Sequence, residues 1–214
     1  MTMNDRYMIG NAQTIGCREI QSNFFSTAYN EDGDLFAVLA DGAIDHPNGR
    51  AAAVVAVESC VSAFRQKLFY VERENASQFL LDTALKAGRH VQDVVYLDRV
   101  PHLSLAMALF RGNDVQFFNV GANRIFFYNG HNERVLGDFA NSAYANGRCS
   151  IPPGNVIGFF STGAHAYLHP MERINIIESK GEVFDKAQTI VDILCDKGLS
   201  NQLNATVLLV EAMK

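Results

Sequence analysis

Leu35-Phe36-Ala37-Val38-Leu39-Ala40 is an unbroken apolar run of strand length. A strand with no polar side must be covered on both faces, which requires layers on either side of it. The run stops at Asp41-Gly42, a turn dipeptide, and a helical pattern opens at Gly49, with Val54, Val57, Val61 and Phe64 spaced by three and four. A buried strand, a polar turn and a helix in that order set the frame for the rest of the chain.

Along the chain, 8–14 and 24–29 read as strands, with Asn30-Glu31-Asp32-Gly33-Asp34 as the turn after the second. A second helix is expected from about Ala76 to Val95, with Phe79, Leu80, Thr83, Ala84, Ala87 and Val91 repeating at helical period. The centre changes to short strands at 103–109, 115–120 and 125–128, and Asn129-Gly130 is a hairpin signal. A polar, glycine-containing stretch covers 137–150, followed by a strand at 156–161, an amphipathic helix at 184–195 and a last buried strand at 205–211. No repeat, linker or break divides the 214 residues, so one domain spanning 1–214 and of α+β class is expected.

Apolar residues make up 48% and charged residues 19%, the composition of a globular chain, and the net charge of −5 argues against nucleic acid or anionic membrane as partner. No apolar stretch reaches the roughly 18 residues of a membrane span, and residues 1–7 lack a secretory pattern, so a cytoplasmic location is expected. Cys17, Cys60, Cys149 and Cys195 have no Cys-x-x-Cys spacing and read as free thiols, Cys60 and Cys195 as small hydrophobes inside helices and Cys17 as inert.

Chemistry concentrates at Asp41-Gly42. A carboxylate at the end of a buried strand, beside a glycine that lets a carbonyl approach, offers the oxygen ligands that Mg²⁺ or Mn²⁺ prefers. An Asx-turn, in which Asp41 only accepts from nearby backbone N–H groups, fits the same residues.

The wider spacing resembles the metal-dependent protein phosphatases of the 2C type. Their signature Ala-Asp-Gly-Met-Gly-Gly-His-x-x-Gly is matched by 40–49 at Ala40, Asp41, Gly42, His46 and Gly49. Four further motifs follow the family order. Gly16-Cys17-Arg18 to Asn23 falls on Gly-x-Arg-x-x-Asn-Gln/Glu-Asp, and Asn119 to Arg124 on Asn-Val-Gly-Asp-Ser-Arg. Pro153-Gly154 with Ser161-Thr162-Gly163 falls on Pro-Gly and Ser-Asp-Gly, and Leu203 to Val207 on Asp-Asn-Ala/Ile-Thr-Val. The resemblance implies a four-layer α-β-β-α sandwich with two central antiparallel sheets. It also implies a shortened flap, because only 133–151 lies where the family carries a longer excursion, and His102-Leu103-Ser104 replaces the usual Gly-Thr-Thr.

In that family, aspartates from five places bridge two or three divalent ions, which bind the phosphate and activate a water. Here Asp41 remains, while the other positions carry Asn23, Ala122, Thr162 and Leu203, and Ser22 replaces the neighbouring Glu or Gln. Too few anionic oxygens are left for a binuclear site, so no cofactor is expected, with one loosely held Mg²⁺ or Mn²⁺ on Asp41 and Gly42 as the limit. The resemblance makes Arg18 the candidate for phosphate binding, against an ordinary ion pair, and His46 the signature histidine, against a hydrogen-bonded turn residue. Asp45, His46 and His165 with Asp41 form a weaker zinc alternative, and His90, His102, His131 and His169 read as surface or turn residues.

The expected function is therefore that of an inactive pseudophosphatase that binds or regulates a protein partner, phosphorylated or not. The alternative is an active serine/threonine phosphatase whose incomplete metal site recruits Asp45, Asp138 or Asp185. A small-ligand sensor is the third class.

Overall fold

The computed structural model describes residues 6–43, 47–67, 75–96, 103–130, 132–137 and 143–213. The strands form two antiparallel five-stranded sheets, and the chain divides into two compact units, each assembled from separated segments. One unit holds 22–123 and 137–149, the other 1–21, 124–136 and 150–214.

In the first of these units the sheet order is β2 (Asn23–Tyr29), β3 (Leu35–Gly42), β4 (Leu103–Arg111), β5 (Asp114–Val120) and β8 (Tyr144–Ser150). The apolar run forms β3, buried at every residue and hydrogen-bonded on both sides. Helices α1 (Gly49–Lys67) and α2 (Ala76–Val91) close this sheet, burying Phe36, Val38 and Ala40 against Val57, Cys60, Phe64 and Leu80. Phe36 and Phe64 stack with centroids 5.1 Å apart; each such fully buried aromatic contributes about 1.5–3 kcal/mol. Burial pushes the Cys60 thiol up to about 12, which keeps it protonated and inert.

In the other unit the order is β1 (Tyr7–Thr14), β10 (Ala205–Ala212), β9 (Val156–Phe160), β6 (Arg124–Tyr128) and β7 (Glu133–Leu136). Helices α3 (Thr162–His165), α4 (Pro170–Glu178) and α5 (Val183–Asp196) belong to its core, where Ile190, Val191 and Leu194 meet Val207, Leu209 and Phe160. No helix among the described residues is long and apolar enough to cross a membrane.

The structure departs from the sequence reading in five places. The polar stretch 137–150 contains β8, because Gly147 lies flat against the Phe117 ring, where a Cβ would come within 2.5 Å, so Asn146-Gly147 is strand and not turn. Helices α3 and α4 lie outside the helices that the apolar pattern predicts. Helix α2 ends at Val91 and finishes in one π-helical turn, Gln92–Tyr96. Cys195 is exposed, its thiol 3.4 Å from Thr14 Oγ1. Val54 is only half-buried; the covered stripe of α1 passes through Ala53, Ala56, Val57 and Cys60.

Candidate functional site

The five positions that the resemblance assigns to metal divide between the units: Asn23, Asp41 and Ala122 on one, Thr162 and Leu203 on the other. In the first unit, Gly42 N donates to Ser22 O at 3.1 Å, so Ser22 and Gly42 form a hydrogen-bonded pair of the β2–β3 ladder. Alternation then makes Asn23–Asp41 a non-hydrogen-bonded pair, with Cα atoms about 4.5 Å apart and both side chains on one face. Asn23 is fully buried and Asp41 is 9% exposed. Gly42 and Gly49 hold the end of β3 against the start of α1: a Cβ on Gly42 would strike the Gly49 carbonyl, and one on Gly49 the Ala43 carbonyl.

On its other side Asp41 faces Ser104 of β4. The Ser104 hydroxyl accepts from Ala122 N at 2.9 Å, and Gly121, at φ +84°, passes so close that a Cβ would lie 2.5 Å from the Ser104 hydroxyl oxygen. Two asparagines fasten this loop. Asn119 Nδ2 donates to Asn123 O at 2.8 Å, and Asn123 Nδ2 donates to Leu39 O and Ser104 O at 3.4 and 3.3 Å. The fold thus brings Asn23, Asp41 and Ala122 to one end of the sheet, where they offer one carboxylate, one carboxamide and one methyl group. Asp45 and His46 lie outside the described residues.

Arg50, in the first turn of α1, belongs to none of the sequence motifs. Its Nη1 donates to Asn23 O and its guanidinium lies over the Phe24 ring, 4.7 Å from the centroid. The available signal was position: a basic residue directly after Gly49.

In the other unit, the loop after β1 is pinned to the segment before β10. Gly16 adopts φ +63° and donates to Thr14 Oγ1 at 3.2 Å, while Cys17 N donates to Gln202 O at 3.0 Å. Asn204 Nδ2 donates to Ile15 O at 2.8 Å. Arg18 follows, half-buried, its Nε enclosed and without an acceptor among the described residues. No ion pair of Arg18 occurs among them, so the ordinary ion-pair reading finds no partner there. Gln202, 4% exposed, likewise has an enclosed Nε2 without an acceptor.

Thr162 opens α3 directly after Ser161, whose hydroxyl accepts from Thr206 N at 2.9 Å. A Cβ on Gly163 would strike Asn204 O and come within 2.9 Å of Leu203 Cβ, so Thr162 and Leu203 belong to two segments in close backbone contact. His165 is half-buried, its carbonyl accepting from Arg173 Nη1 at 3.3 Å and its ring 6.5 Å from that of Phe126. Asp185 sits in the exposed first turn of α5, its carbonyl bonded by Thr189 Oγ1, and Asp138 lies outside the described residues. His169 caps α4: Met171 N donates to its Nδ1 at 3.2 Å. His90 is exposed, with Nδ1 2.7 Å from Ser59 Oγ, and His102 and His131 lie outside the described residues. Among the described residues, no group of three or more His, Cys, Asp or Glu is placed to hold a metal ion.

Residues 22–184 match the family described as Protein phosphatase 2C. Among solved structures, a serine/threonine phosphatase of S. agalactiae is similar at a TM-score of 0.86 and 18% identity, over 96% of this chain and 99% of that one. Serine/threonine phosphatase Stp1 from Staphylococcus aureus is similar at 0.84 and 15%, over 96% and 95%. The catalytic domain of the serine threonine protein phosphatase PstP, in complex with two manganese ions, is similar at 0.79 and 12%, over 98% and 99%. No curated protein matches the chain in sequence. At these identities the structures establish a shared fold.

Proposed function

The chain belongs to the protein phosphatase 2C family, and on that premise we propose that it is a pseudophosphatase: a binding or regulatory module for a protein partner, phosphorylated or otherwise anionic, with no hydrolytic activity of its own. The observation that carries this reading is the donor set. Asn23, Asp41 and Ala122 supply one carboxylate to their end of the sheet, and Thr162 and Leu203 supply a hydroxyl and an aliphatic chain to theirs. Two dications 4 Å apart repel by about 16 kcal/mol at an effective dielectric of about 20, four times the figure for unit charges. One carboxylate does not neutralise that. These residues do not fit a pair of ions, and a single Mg²⁺ or Mn²⁺ resting on Asp41 is the most they would hold.

Arg18 supports the binding half of the proposal. A guanidinium held half-buried with its Nε unspent is suited to grip a phosphate or carboxylate through its fork, without a metal. The active alternative draws on the PstP domain, described with manganese, and needs carboxylates beyond those described around Asp41.

The test is phosphoester hydrolysis with Mn²⁺ or Mg²⁺ in excess, on p-nitrophenyl phosphate and on phosphoserine and phosphothreonine peptides. Release no faster than in buffer is expected. Turnover that disappears in Asp41→Ala would overturn the proposal.

A further inference from the structure

We infer that Ile15 and Ile20 read the neighbours of the anion that Arg18 grips, so that the loop after β1 selects a phosphoserine peptide with bulky aliphatic flanking residues. The inference rests on the binding reading above and adds sequence selectivity to it.

Three observations converge on this loop, which lies within one unit. First, it is closed and pinned. Arg18 N donates to Ile15 O at 3.4 Å, which closes the turn Ile15-Gly16-Cys17-Arg18, with Gly16 at φ +63°. Gln21 Nε2 donates to Thr14 O at 3.1 Å and folds the chain back to the end of β1. Asn204 Nδ2 and Gln202 O hold the same turn from the segment before β10. The loop is therefore shaped in advance, and a ligand has little backbone left to order.

Second, the loop exposes two large aliphatic residues on either side of Arg18. Ile15 is 41% exposed and Ile20 is 55% exposed. Ile15 and Arg18 are the first and last residues of the closed turn, which brings their Cα atoms within about 7 Å. A single exposed isoleucine is ordinary. Two on one pinned loop, bracketing an arginine with unspent donors, make a combined apolar and cationic surface. Their β-branched side chains also have few rotamers to lose when covered.

Third, charge alone is a poor lure here. Glu19 is exposed beside Arg18, so the loop is formally neutral, and the whole chain carries −5. Long-range attraction of an anion is then weak, while the guanidinium fork still works at contact. An anion that brings apolar side chains gains from the isoleucines what charge does not supply. Covering roughly half of each isoleucine corresponds to about fivefold in affinity apiece.

Calorimetric titration with two phosphoserine peptides of equal charge tests the inference, one with leucine on both sides of the phosphoserine and one with alanine. The natural chain is expected to bind the leucine peptide at least about tenfold more tightly. Ile15→Ser with Ile20→Ser should bring the two affinities within about twofold of each other and leave that of the alanine peptide unchanged. Arg18→Gln should weaken both peptides alike and preserve their ratio. The leucine peptide without its phosphate should bind at least about tenfold more weakly than with it. Equal affinities for the two phosphopeptides overturn the inference, as does a preference that survives the double serine variant or is indifferent to the phosphate. Should the serine variant fail to fold, Ile15→Ala with Ile20→Ala takes its place with the same expectation. Equal binding of both phosphopeptides that Arg18→Gln weakens leaves the anion-binding reading standing and removes only the selectivity. Binding of neither removes both.

Discussion

Arg173 and Arg18 belong to the same unit and are used in opposite ways. Arg173 is 4% exposed and spends every arm of its guanidinium. Nε and Nη2 each donate to Glu133 at 2.7 Å, Nη1 donates to Leu168 O at 2.6 Å and to His165 O at 3.3 Å, and the plane lies 4.6 Å from the centre of the Phe126 ring. Tyr128 completes the cluster; burial raises its hydroxyl pKa, and Glu133 raises it further. Arg18 is half-buried, yet its side chain makes no hydrogen bond or ion pair among the described residues, and its enclosed Nε has no acceptor there. An arginine that holds a fold together is saturated with partners. One held partly buried with donors unspent is what the proposed grip on an anion asks for.

The largest test of this contrast is removal of the saturated arginine. Arg173→Met strands Glu133, whose side chain is 8% exposed, and is predicted to cost about 3–5 kcal/mol in urea unfolding. Adding Glu133→Leu should recover part of that loss, since an apolar pair of similar volume tolerates burial better than a lone carboxylate. A loss below about 1 kcal/mol would remove Arg173 as a structural reference and break the comparison. The next effect belongs to Ser161→Ala, beside Thr162. Thr206 N would lose its buried acceptor, at a predicted cost of about 1–3 kcal/mol by the same measurement.

The two arginines also mark how far the sequence could be read. The strands β1 to β6, β9 and β10, and helices α1, α2 and α5, follow from apolar period and turn chemistry, because each buries one continuous stripe or run. Helix α4 escapes that logic. Its buried face includes Arg173, which interrupts the apolar pattern, and its cap is His169, outside the usual Ser, Thr, Asp and Asn set. Strand β8 escapes because its glycine serves packing on Phe117. At the candidate site, family motifs located Asp41, Asn23, Ala122, Thr162, Leu203 and Arg18 by order along the chain. They gave no sign that Arg18 would lack a partner among the described residues, nor that Arg50 would bond the Asn23 carbonyl; both depend on side-chain placement across strands distant in sequence.

A smaller effect comes from the residue preceding Arg173. Glu172 is partly exposed at the start of α4, and the Lys197 ammonium, 2.8 Å away, holds its carboxyl below the ordinary range, helped by the His169 N–H. A carboxyl depressed in the folded state stabilises above its unfolded pKa of about 4.3, and that contribution is lost as pH falls through the lower folded value. Glu172→Gln should therefore lower Tm by less than about 2 °C at pH 7 and flatten the acid side of the melting profile below about pH 4. A drop as large as that of Arg173→Met would mean that burial does not separate the two ion pairs.

The smallest expected change in stability is the most informative for function. Arg18→Gln removes a charge and an unspent donor and breaks no bond among the described residues, so unfolding free energy should stay within about 0.5 kcal/mol of the natural chain. Affinity for a phosphoserine peptide, read by calorimetry on the same protein, should fall about tenfold or more, the worth of one charge-assisted hydrogen bond. The two readouts must separate. If Arg18→Gln destabilises the chain as Arg173→Met does, Arg18 is a structural arginine and the contrast collapses. If neither stability nor peptide affinity changes, the loop after β1 does not carry the anion, and the binding surface must be sought elsewhere on the fold.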